Sequence, residues 1–587
     1  MPSPATCRLA SLDEQIAAQH AVIARFDTAL WENGFNAALL PAYQSAWRRL
    51  ETLLAKRDDP RHHFVIVIPV ADSPAQLQRC LASLLELCRA FAYGGMKNGY
   101  FSKVSVLLAD DSHSSEIIAA NQALVHAFAA KGLAIEYFGL TEQLALLDRL
   151  AALDLDLDLG HIIGNAPREA FSHKGQAIMR NLAYLHLAQR TQADARTLIY
   201  TLDADQQFKV NVDTAEGDGD VCAVNFFAQL DAIFSTTDAD VLTGKVVGDP
   251  PVSPAVMAAT FLDDVAGFLH EMAASDPAQP YYQNAANTSE ADAAYHDMAG
   301  LFGFENPAAA YRYRCNLPGA PSNADCFGDF ARRLKCFFHG EHPTRITWYR
   351  HQPALDSVHP ARTVYTGNYV FRPRALQWFI PFAPLRLRMS GPTLGRLMKA
   401  ELGARFISAN LPMLHTRTLG ATGAAEFRPG VVTEAEHIDL TDEFERQFFG
   451  DVMLFAVERL AALGFPQRTL SNEILAATLD AVHADMAQKY CARQVEIVAK
   501  LAALTALLNE PAQGWQQPEQ AGALTHFRLF LDNMQRNFGV DAPGHARIAS
   551  NANWQSWRQR QLAALTRFHA DRRVWNQALA TLKPPSA

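Results

Sequence analysis

Two carboxylates follow a predicted β-strand in "TLIYTLDADQQF", residues 197 to 208. Leu198, Ile199 and Leu202 suit a strand buried in a sheet, and Asp203 and Asp205 come next with one residue between them. Neighbouring carboxylates repel each other unless a cation or solvent separates them. Open parallel sheets bind ligands at the carboxyl ends of their strands, where a divalent cation could bridge the acids to phosphate oxygens. A solvated turn is the alternative, since Asp is common in turns.

Polar side chains also follow two other predicted strands. "FVIVIPV" leads to Asp72, and "KVSVLLADD" ends in Asp110 and Asp111. "HKGQAIMRN" places Lys174 at a helix N-terminus, where backbone N–H groups and an ammonium group could both face phosphate. Each residue also has a structural explanation, because Asp110 and Asp111 could cap the next helix and Lys174 could lie on the surface. Taken together, their order favours a phosphate or nucleotide site.

Strand and helix patterns alternate from Phe64 onward, which predicts an α/β fold with a mainly parallel sheet. "SLDEQIAAQHAVIARFDTALWE" and "PAYQSAWRRLETLLAKRDD" predict helices before it. Residues 275–345, rich in Ala, Asn, Pro and Tyr, are predicted to form an insertion or lid, and helical patterns follow one another from Thr441. We therefore predict an N-terminal helical segment over 1–60, a sheet domain over 61–430 and a C-terminal all-α domain over 431–587.

Four of these segments, in this order, resemble the GT-A glycosyltransferases, and the family-2-type group in particular. The resemblance runs from residue 64 to 418 and rests on "IVIPVADSPAQLQRCLASLL", "LLADDSHSSE", "HKGQAIMRN" and "TLDADQQF". It implies the Rossmann-like GT-A fold and transfer of a sugar from a nucleotide-diphosphate sugar with Mn²⁺ or Mg²⁺. By the same resemblance, Asp205 would be the main metal ligand, and Asp203 would assist through water or the ribose.

The resemblance also assigns the donor and acceptor pockets. Pro69, Asp72 and Asp111 would line the nucleoside pocket, with Asp110 close by and Lys174 near the diphosphate or base. "TGNYVFRPRALQWF" resembles the acceptor-side strand of the family. That segment would place Thr366, Gly367 and Asn368 at the sugar or the acceptor.

One expected motif is missing. Inverting members usually carry an acidic base before the helix that here reads "GPTLGRLMKAELGARF", but no Asp or Glu occurs between Leu385 and Ala400. Arg388 and Ser390 stand there instead, although an inverting displacement needs a base for the acceptor proton. Retaining enzymes similar to mannosylglycerate or glucosyl-phosphoglycerate synthases do without one and commonly use a later histidine as a metal ligand. His415 in "LPMLHTRT" falls at that place and, with retention of configuration, is predicted to bind the metal.

Three further groups of residues could do chemistry. Arginines between residues 372 and 396 could bind an anionic acceptor or the leaving diphosphate, or form structural ion pairs; they are Arg372, Arg374, Arg386, Arg388 and Arg396, with Arg388 favoured. Asp263 and Asp264 could be a displaced base or part of a solvated helix face. A third group of cysteines and histidines could hold zinc; its members are Cys315, Cys326, Cys336, His339 and His342. This group lacks the tight C-x₂₋₄-C pairs of zinc sites, so ordinary buried cysteines are the simpler interpretation.

The composition excludes several classes of protein. The formal net charge of −9 argues against an electrostatic nucleic-acid binder, and 49% hydrophobic with 19% charged residues is typical of a globular protein. No segment approaches the roughly 20 uninterrupted apolar residues of a membrane-spanning helix, and the first residues do not resemble a secretory signal. The eight cysteines are scattered, which favours a reducing, cytoplasmic location. The C-terminal helices could also pack a homodimer.

The sequence therefore predicts a metal-dependent glycosyltransferase. It would transfer a sugar from a nucleotide-diphosphate sugar to a soluble acceptor, either an anionic small molecule or a carbohydrate. A non-catalytic sugar-nucleotide-binding or scaffold protein on the same fold is the alternative, supported by the missing carboxylate. A sugar-phosphate nucleotidyltransferase ranks lower, because "IPVADSPAQ" lacks the glycine-rich loop of that class.

Overall fold

The fold is that of a computed structural model, which describes residues 11–152, 158–191, 196–214, 217–249, 252–281, 313–315, 317–344, 346–364, 367–417, 419 and 427–582. Its strands are β1 His63–Val70, β2 Met96–Lys97, β3 Tyr100–Phe101, β4 Val104–Asp110, β5 Ala134–Phe138, β6 Thr197–Thr201, β7 Gln206–Gln207, β8 Val210–Thr214, β9 Gly217–Val221, β10 Val241–Gly248, β11 His359–Pro360, β12 Tyr369–Phe371, β13 Phe406–His415, β14 Val432–Glu434 and β15 His437–Asp439.

The helices of the described residues come before, between and after these strands. They are α1 Leu12–Trp31, α2 Leu40–Leu54, α3 Pro74–Phe91, α4 Ser115–Ala129, α5 Leu140–Ala152, α6 Gly160–Ile163, α7 Gln176–Thr191, α8 Phe226–Thr236, α9 Pro254–Ala273, α10 Asn323–Arg333, α11 Ser390–Leu402, α12 Thr441–Ala462, α13 Asn472–Leu508, α14 Ala521–Phe538, α15 Pro543–Ala549 and α16 Asn551–Leu582.

A nine-stranded sheet forms the centre of the molecule. Eight strands follow the order β11-β13-β10-β12-β6-β1-β4-β5, and β7 pairs with the end of β13. The pairs β6–β1, β1–β4, β4–β5 and β10–β13 are parallel, whereas β12 runs antiparallel to both of its neighbours. The buried, β-branched run of β1 is typical of a parallel strand covered on both faces. The predicted α/β class with a mainly parallel sheet is confirmed.

Helices from both ends of the chain pack on this sheet. α1 begins at the predicted capping box of Ser11 and Glu14 and shares a hydrophobic core with α2, α3 and β1. Near the C-terminus, Trp575 of α16 is fully buried against Phe379 and donates its indole N–H to the carbonyl of Leu376. The predicted N-terminal and C-terminal helices are therefore present. The domain limits at residues 60 and 430 stay predictions.

The predicted insertion at 275–345 falls partly outside the described residues, which omit 282–312, 316 and 345. Its described part includes α10, whose Phe327 and Phe330 pack against Phe527 of α14. None of the helices in the described ranges is both long and apolar enough to cross a membrane.

Candidate active site

A cleft of 670 Å³ opens at the carboxyl ends of β1, β4 and β6. Eight of the residues predicted from the sequence line it, namely Pro69, Asp111, Lys174, Asp203, Asp205, Arg386, Arg388 and His415. The predicted residues Asp72, Asp110, Gly367 and Asn368 do not line it, and Thr366 lies outside the described residues. The opposite wall comes from the loop before α11, the segment 427–430 and the helices α12 and α16.

Asp205 and His415 meet although 210 residues separate them in the chain. β7 pairs antiparallel with the end of β13, with Gln206 opposite His415, and this pairing brings the imidazole to the carboxylate. Nε2 of His415 lies 3.1 Å from Oδ2 of Asp205, which also accepts a 2.6 Å hydrogen bond from Nη1 of Arg417. Burial would raise the pKa of the Asp205 carboxyl, but the charges of His415 and Arg417 outweigh it and hold that pKa well below its usual value.

The tautomer of His415 follows from its other nitrogen. Nδ1 lies 2.7 Å from the backbone carbonyl of Asp249, which can only accept, so Nδ1 carries a hydrogen. Nε2 is then the nitrogen left to bind a cation; without one, it faces Oδ2 of Asp205 as a hydrogen-bond donor. Metal-binding histidines show this arrangement, in which the second ring nitrogen donates to a carbonyl and fixes the ring.

Gly248, the last residue of β10, pairs with His415 of β13 and lies directly against its backbone. Its φ of +88° is in the region that favours glycine, and a Cβ there would lie 2.4 Å from the carbonyl oxygen of His415. That carbonyl accepts a hydrogen bond from the backbone N–H of Asp249. The backbone of this strand pair therefore fixes the position of the imidazole.

Asp203 has a different environment from Asp205. Its Oδ1 accepts a hydrogen bond from the buried guanidinium of Arg180 on α7, and its backbone N–H donates to the side chain of Gln206. Burial raises the pKa of the Asp203 carboxyl, Arg180 opposes the rise and Asp205 adds to it. Arg180 thus compensates the charge of Asp203 from within the protein.

The donor set fits a divalent cation through Asp205 and His415. Oδ1 of Asp205 is buried and, within the described residues, has no hydrogen-bond partner. A carboxylate oxygen and an imidazole lone pair on one wall of the cleft suit Mn²⁺ or Mg²⁺ with further ligands from a substrate. No group of three His, Cys, Asp or Glu side chains in the described ranges is arranged around one point, so Asp203 is not a preformed third ligand.

Asp111 and Lys174 form a buried ion pair in the lining of the cleft. Nζ of Lys174 lies 2.6 Å from Oδ1 of Asp111 and donates to the carbonyl of Phe171, and Oδ2 of Asp111 accepts from the N–H of Gly175. Burial lowers the pKa of Lys174 and raises the pKa of Asp111, and their mutual attraction opposes both shifts. The pair joins the end of β4 to the start of α7.

Asp72 and Asp110 organise the neighbouring loops. Asp72 has a φ of 49°, and its carboxylate contacts Nε2 of His173 at 2.5 Å and accepts from the N–H of His113. Asp110 is buried and accepts hydrogen bonds from the N–H of Ser112 and from the side chains of Asn121 and Tyr137. Both predictions of nucleotide binding stay untested, and the structure brings neither carboxylate into the cleft.

Gly367 and Asn368 also lie behind the cleft. A Cβ on Gly367 would be 2.3 Å from the backbone nitrogen of Asp203, so this glycine lets β12 approach the carboxyl end of β6. The Asn368 side chain donates to the carbonyls of Lys245 and Leu411 and accepts from the hydroxyl of Tyr200. These contacts fix the strand positions and leave the amide no group facing the cleft.

The predicted arginines divide into two sets. Arg388 lines the cleft together with Arg386, and its Nη1 lies 2.8 Å from the buried carboxylate of Glu443. The other three lie outside the cleft: Arg372 donates to backbone carbonyls, Arg374 pairs with Asp240, and Arg396 contacts the Arg362 carbonyl and Glu458.

Two further predicted groups are also placed away from the cleft. Asp263 pairs with Lys500, and Asp264 accepts from the hydroxyl of Thr344, so neither stands in for the missing base. Cys315 and Cys326 form a disulfide with each other, which removes two of the candidate zinc ligands. Both cysteines are buried, as the sequence predicts, and they are bonded to each other.

Four arginines of the cleft were not predicted from the sequence: Arg180, Arg417, Arg428 and Arg446. Arg180 stands in the quoted segment "HKGQAIMRN", and Arg417 comes two residues after His415, so nearness to a predicted ligand could have indicated both. Arg428 and Arg446 have no such signal. Their place in the cleft depends on the packing of α12 against the loop before α11.

Comparisons with known proteins give structural likenesses only. No family model matches the sequence, and no curated protein matches it. The mannosyltransferase PcManGT from Pyrobaculum calidifontis, solved with GDP-Man and Mn²⁺, is similar over 95% of this chain and 98% of its own, with 10% identity and a TM-score of 0.30. Mouse xyloside xylosyltransferase 1, solved in its apo form, is similar over 48% and 78%, with 13% identity and a TM-score of 0.19. Both are glycosyltransferases by name, but at these TM-scores the activity of this chain has to be argued from its own site.

Proposed function

We propose that this protein is a divalent-cation-dependent glycosyltransferase that uses a nucleotide-diphosphate sugar. The observation that supports it most is the pair of Asp205 and His415. A buried carboxylate oxygen without a hydrogen-bond partner among the described residues and an oriented imidazole lie at the carboxyl edge of a parallel sheet, in a cleft with several basic side chains. Such an edge is where open α/β sheets bind ligands, and a cation bound there would be positioned to meet a diphosphate.

Asp205 and His415 would hold the cation, Mn²⁺ or Mg²⁺. When bound, it would offset negative charge that develops on the leaving diphosphate. Arg180 neutralises Asp203, which leaves Asp205 as the acid available to the cation. The Asp111–Lys174 pair closes the other end of the cleft, and we assign the nucleoside to that end, beside Pro69.

We further propose that the transfer retains the configuration of the sugar. Segment 385–400 faces the cleft with Arg386, Arg388 and Ser390 and contains no carboxylate. The acids on the helical wall are Asp442 and Glu445, and both accept hydrogen bonds from Arg547. A general base for inversion would need a free carboxylate near the acceptor hydroxyl, which these contacts do not favour.

Asp205→Asn is the cleanest test of this function. The change removes the charge of the proposed ligand while keeping its shape, so metal-dependent transfer or hydrolysis of the donor should fall by about 100-fold or more. A panel of sugar nucleotides with Mn²⁺, and the same panel in excess EDTA, identifies the donor and the metal requirement. Asp203→Asn is a poorer test, because it leaves the buried Arg180 without its counter-charge.

Asp263→Asn serves as the matched control, since its carboxylate is half exposed and pairs with Lys500 outside the cleft. It should retain full activity. Full activity of Asp205→Asn, or of the wild type in EDTA, would contradict the proposal. NMR assignment of the product's anomeric configuration decides separately between retention and inversion.

A further inference from the structure

A second ion cluster lies next to the proposed metal ligands, centred on Glu443. This carboxylate is buried, and its Oε1 accepts from Nη1 of Arg388 at 2.8 Å, Nη2 of Arg428 at 2.9 Å and the hydroxyl of Ser253 at 2.9 Å. Burial would raise the pKa of Glu443, but Arg428 and Arg388 outweigh it, so the group stays charged. One carboxylate therefore holds two guanidinium groups at the cleft wall.

The contact with Glu443 engages only one of the terminal nitrogens of Arg428, Nη2. Its side chain is nine-tenths buried, and its Nη1 has no hydrogen-bond partner among the described residues. A buried N–H donor without a partner is unfavourable, and more so when it is charged. Because Arg428 lines the cleft, a bound anion is the group that could accept from it.

Arg417 and Arg428 converge at one place. Nη1 of Arg428 and Nε of Arg417 lie 2.6 and 3.6 Å from the point where a Cβ on Gly340 would stand. Gly340 has a φ of +83°, and the missing side chain leaves room for both guanidinium groups. Arg417 also touches Oδ2 of Asp205, so this convergence lies beside the proposed cation.

We propose that Arg417 and Arg428 form an anion subsite that binds the diphosphate of the donor, and this inference rests on the proposed function. An anion gripped here would contact the two guanidinium groups on one side and face Asp205 and His415 on the other. Of the ligands of a glycosyltransferase, the diphosphate is the one that a cation and arginines bind together. The acceptor would then lie farther out, toward Ser390.

Calorimetric titration with inorganic pyrophosphate tests this subsite without needing the sugar or the base. Wild type, Arg428→Ala, Arg428→Lys and Arg536→Ala are compared in MgCl₂ and again in EDTA. Arg428→Ala should weaken pyrophosphate binding by at least about 10-fold, because it removes a charge-assisted donor. Arg428→Lys keeps the charge without the fork and should show a smaller loss. Arg536→Ala, which removes an exposed arginine outside the cleft, should bind like the wild type.

The outcomes separate this inference from the proposed function. If wild type binds pyrophosphate in neither condition, or if both Arg428 variants bind it as tightly as wild type, the subsite is wrong even when a donor is turned over. If Arg428→Ala loses pyrophosphate affinity but no sugar nucleotide is ever consumed, the subsite stands and the glycosyltransferase proposal fails. If Arg428→Ala does not fold, the pyrophosphate affinity of Arg428→Lys is compared with that of Arg536→Ala, and this comparison decides whether the subsite exists.

Discussion

Replacing His415 by Asn separates the two roles that the structure gives to this side chain. The amide nitrogen of Asn can take the place of Nδ1 and keep the hydrogen bond to the Asp249 carbonyl, while the position of Nε2 becomes empty. His415→Ala would lose both, and because the residue is only 1% exposed, leaving that carbonyl unsatisfied would also cost about 1–3 kcal/mol. The Asn variant therefore reports on metal binding with the smaller effect on stability.

The expected loss of Mn²⁺ affinity in His415→Asn follows from the removal of one metal ligand. Removing a metal ligand or its immediate partner typically lowers affinity by at least about 10–100-fold. At a Mn²⁺ concentration 100 times the wild-type Kd, the cation should stabilise wild type by ~2.7 kcal/mol and the Asn variant by only ~0.4–1.4 kcal/mol. Denaturant unfolding with Mn²⁺ and with EDTA measures this difference directly. His437→Asn, on a half-exposed histidine outside the cleft, is the control and should respond like wild type.

The result that would refute this reasoning is an equal gain in stability from Mn²⁺ in wild type and in His415→Asn. His415 would then be a buried structural residue, and the cation, if one binds, would depend on other groups.

Two further predictions concern stability. Gly248→Ala should destabilise the protein by at least ~2 kcal/mol, because alanine would have to adopt a positive φ and its Cβ would contact the His415 carbonyl. The control is Gly267→Ala in the middle of α9, where no atom lies within 4 Å of the new Cβ; it should be neutral or stabilise the protein by up to ~1 kcal/mol. Equal effects of the two changes on thermal unfolding would contradict the argument. Burial raises the pKa of Asp451 to about 7, so the folded state keeps a proton that the unfolded chain loses near pH 4. The free energy of unfolding should therefore fall by up to ~4 kcal/mol as the pH rises from about 4 to about 7. Asp451→Asn should flatten this fall, and an unchanged pH profile of unfolding would show that the carboxyl titrates normally.

Strand periodicity explains which of the predicted acids reach the cleft. Successive side chains of a strand point to opposite faces, so Asp110 and Asp111 cannot both face one site. Asp110 turns toward Asn121 and Tyr137, and Asp111 turns toward Lys174. The sequence therefore contained enough information to separate the two, in line with the resemblance, which put Asp111 in the pocket and Asp110 only close by.

The position of His415 is a different case. Nothing in the local pattern of "LPMLHTRT" distinguishes a ligand from a core histidine, and the prediction rested on the order of family-like segments. The structure supplies the physical reason, which is the pairing of β7 with the end of β13. Such a pairing joins segments about 210 residues apart and has no local sequence signature, so only the fold reveals the contact with Asp205.

Arginines show most clearly what the sequence could not provide. The five arginines between residues 372 and 396 are equally plausible as anion ligands by residue type and spacing, yet only Arg386 and Arg388 of these five line the cleft. The difference arises from tertiary partners, since a carboxylate or carbonyl near each guanidinium decides where it points. For Arg388, that partner is Glu443, which lies in a helix that the sequence predicts to be part of a separate domain.

The loop that carries Arg388 shows why this helix belongs to the site. Phe382, Arg386 and Met389 all have φ between 52° and 69°, a backbone conformation that costs non-glycine residues about 1 kcal/mol or more each. Such a loop persists only when its surroundings hold it. α12 does so through three contacts: the N–H of Arg388 donates to the Arg446 carbonyl, Nε of Arg446 donates to the Arg386 carbonyl, and Gly450 lets the helix approach the Arg388 carbonyl. The packing of α12 therefore stabilises the conformation of the loop that carries Arg386 and Arg388 at the cleft. A change in that helix far from any predicted ligand would therefore act on the cleft through this loop, because α12 contacts the loop backbone at Arg386 and Arg388.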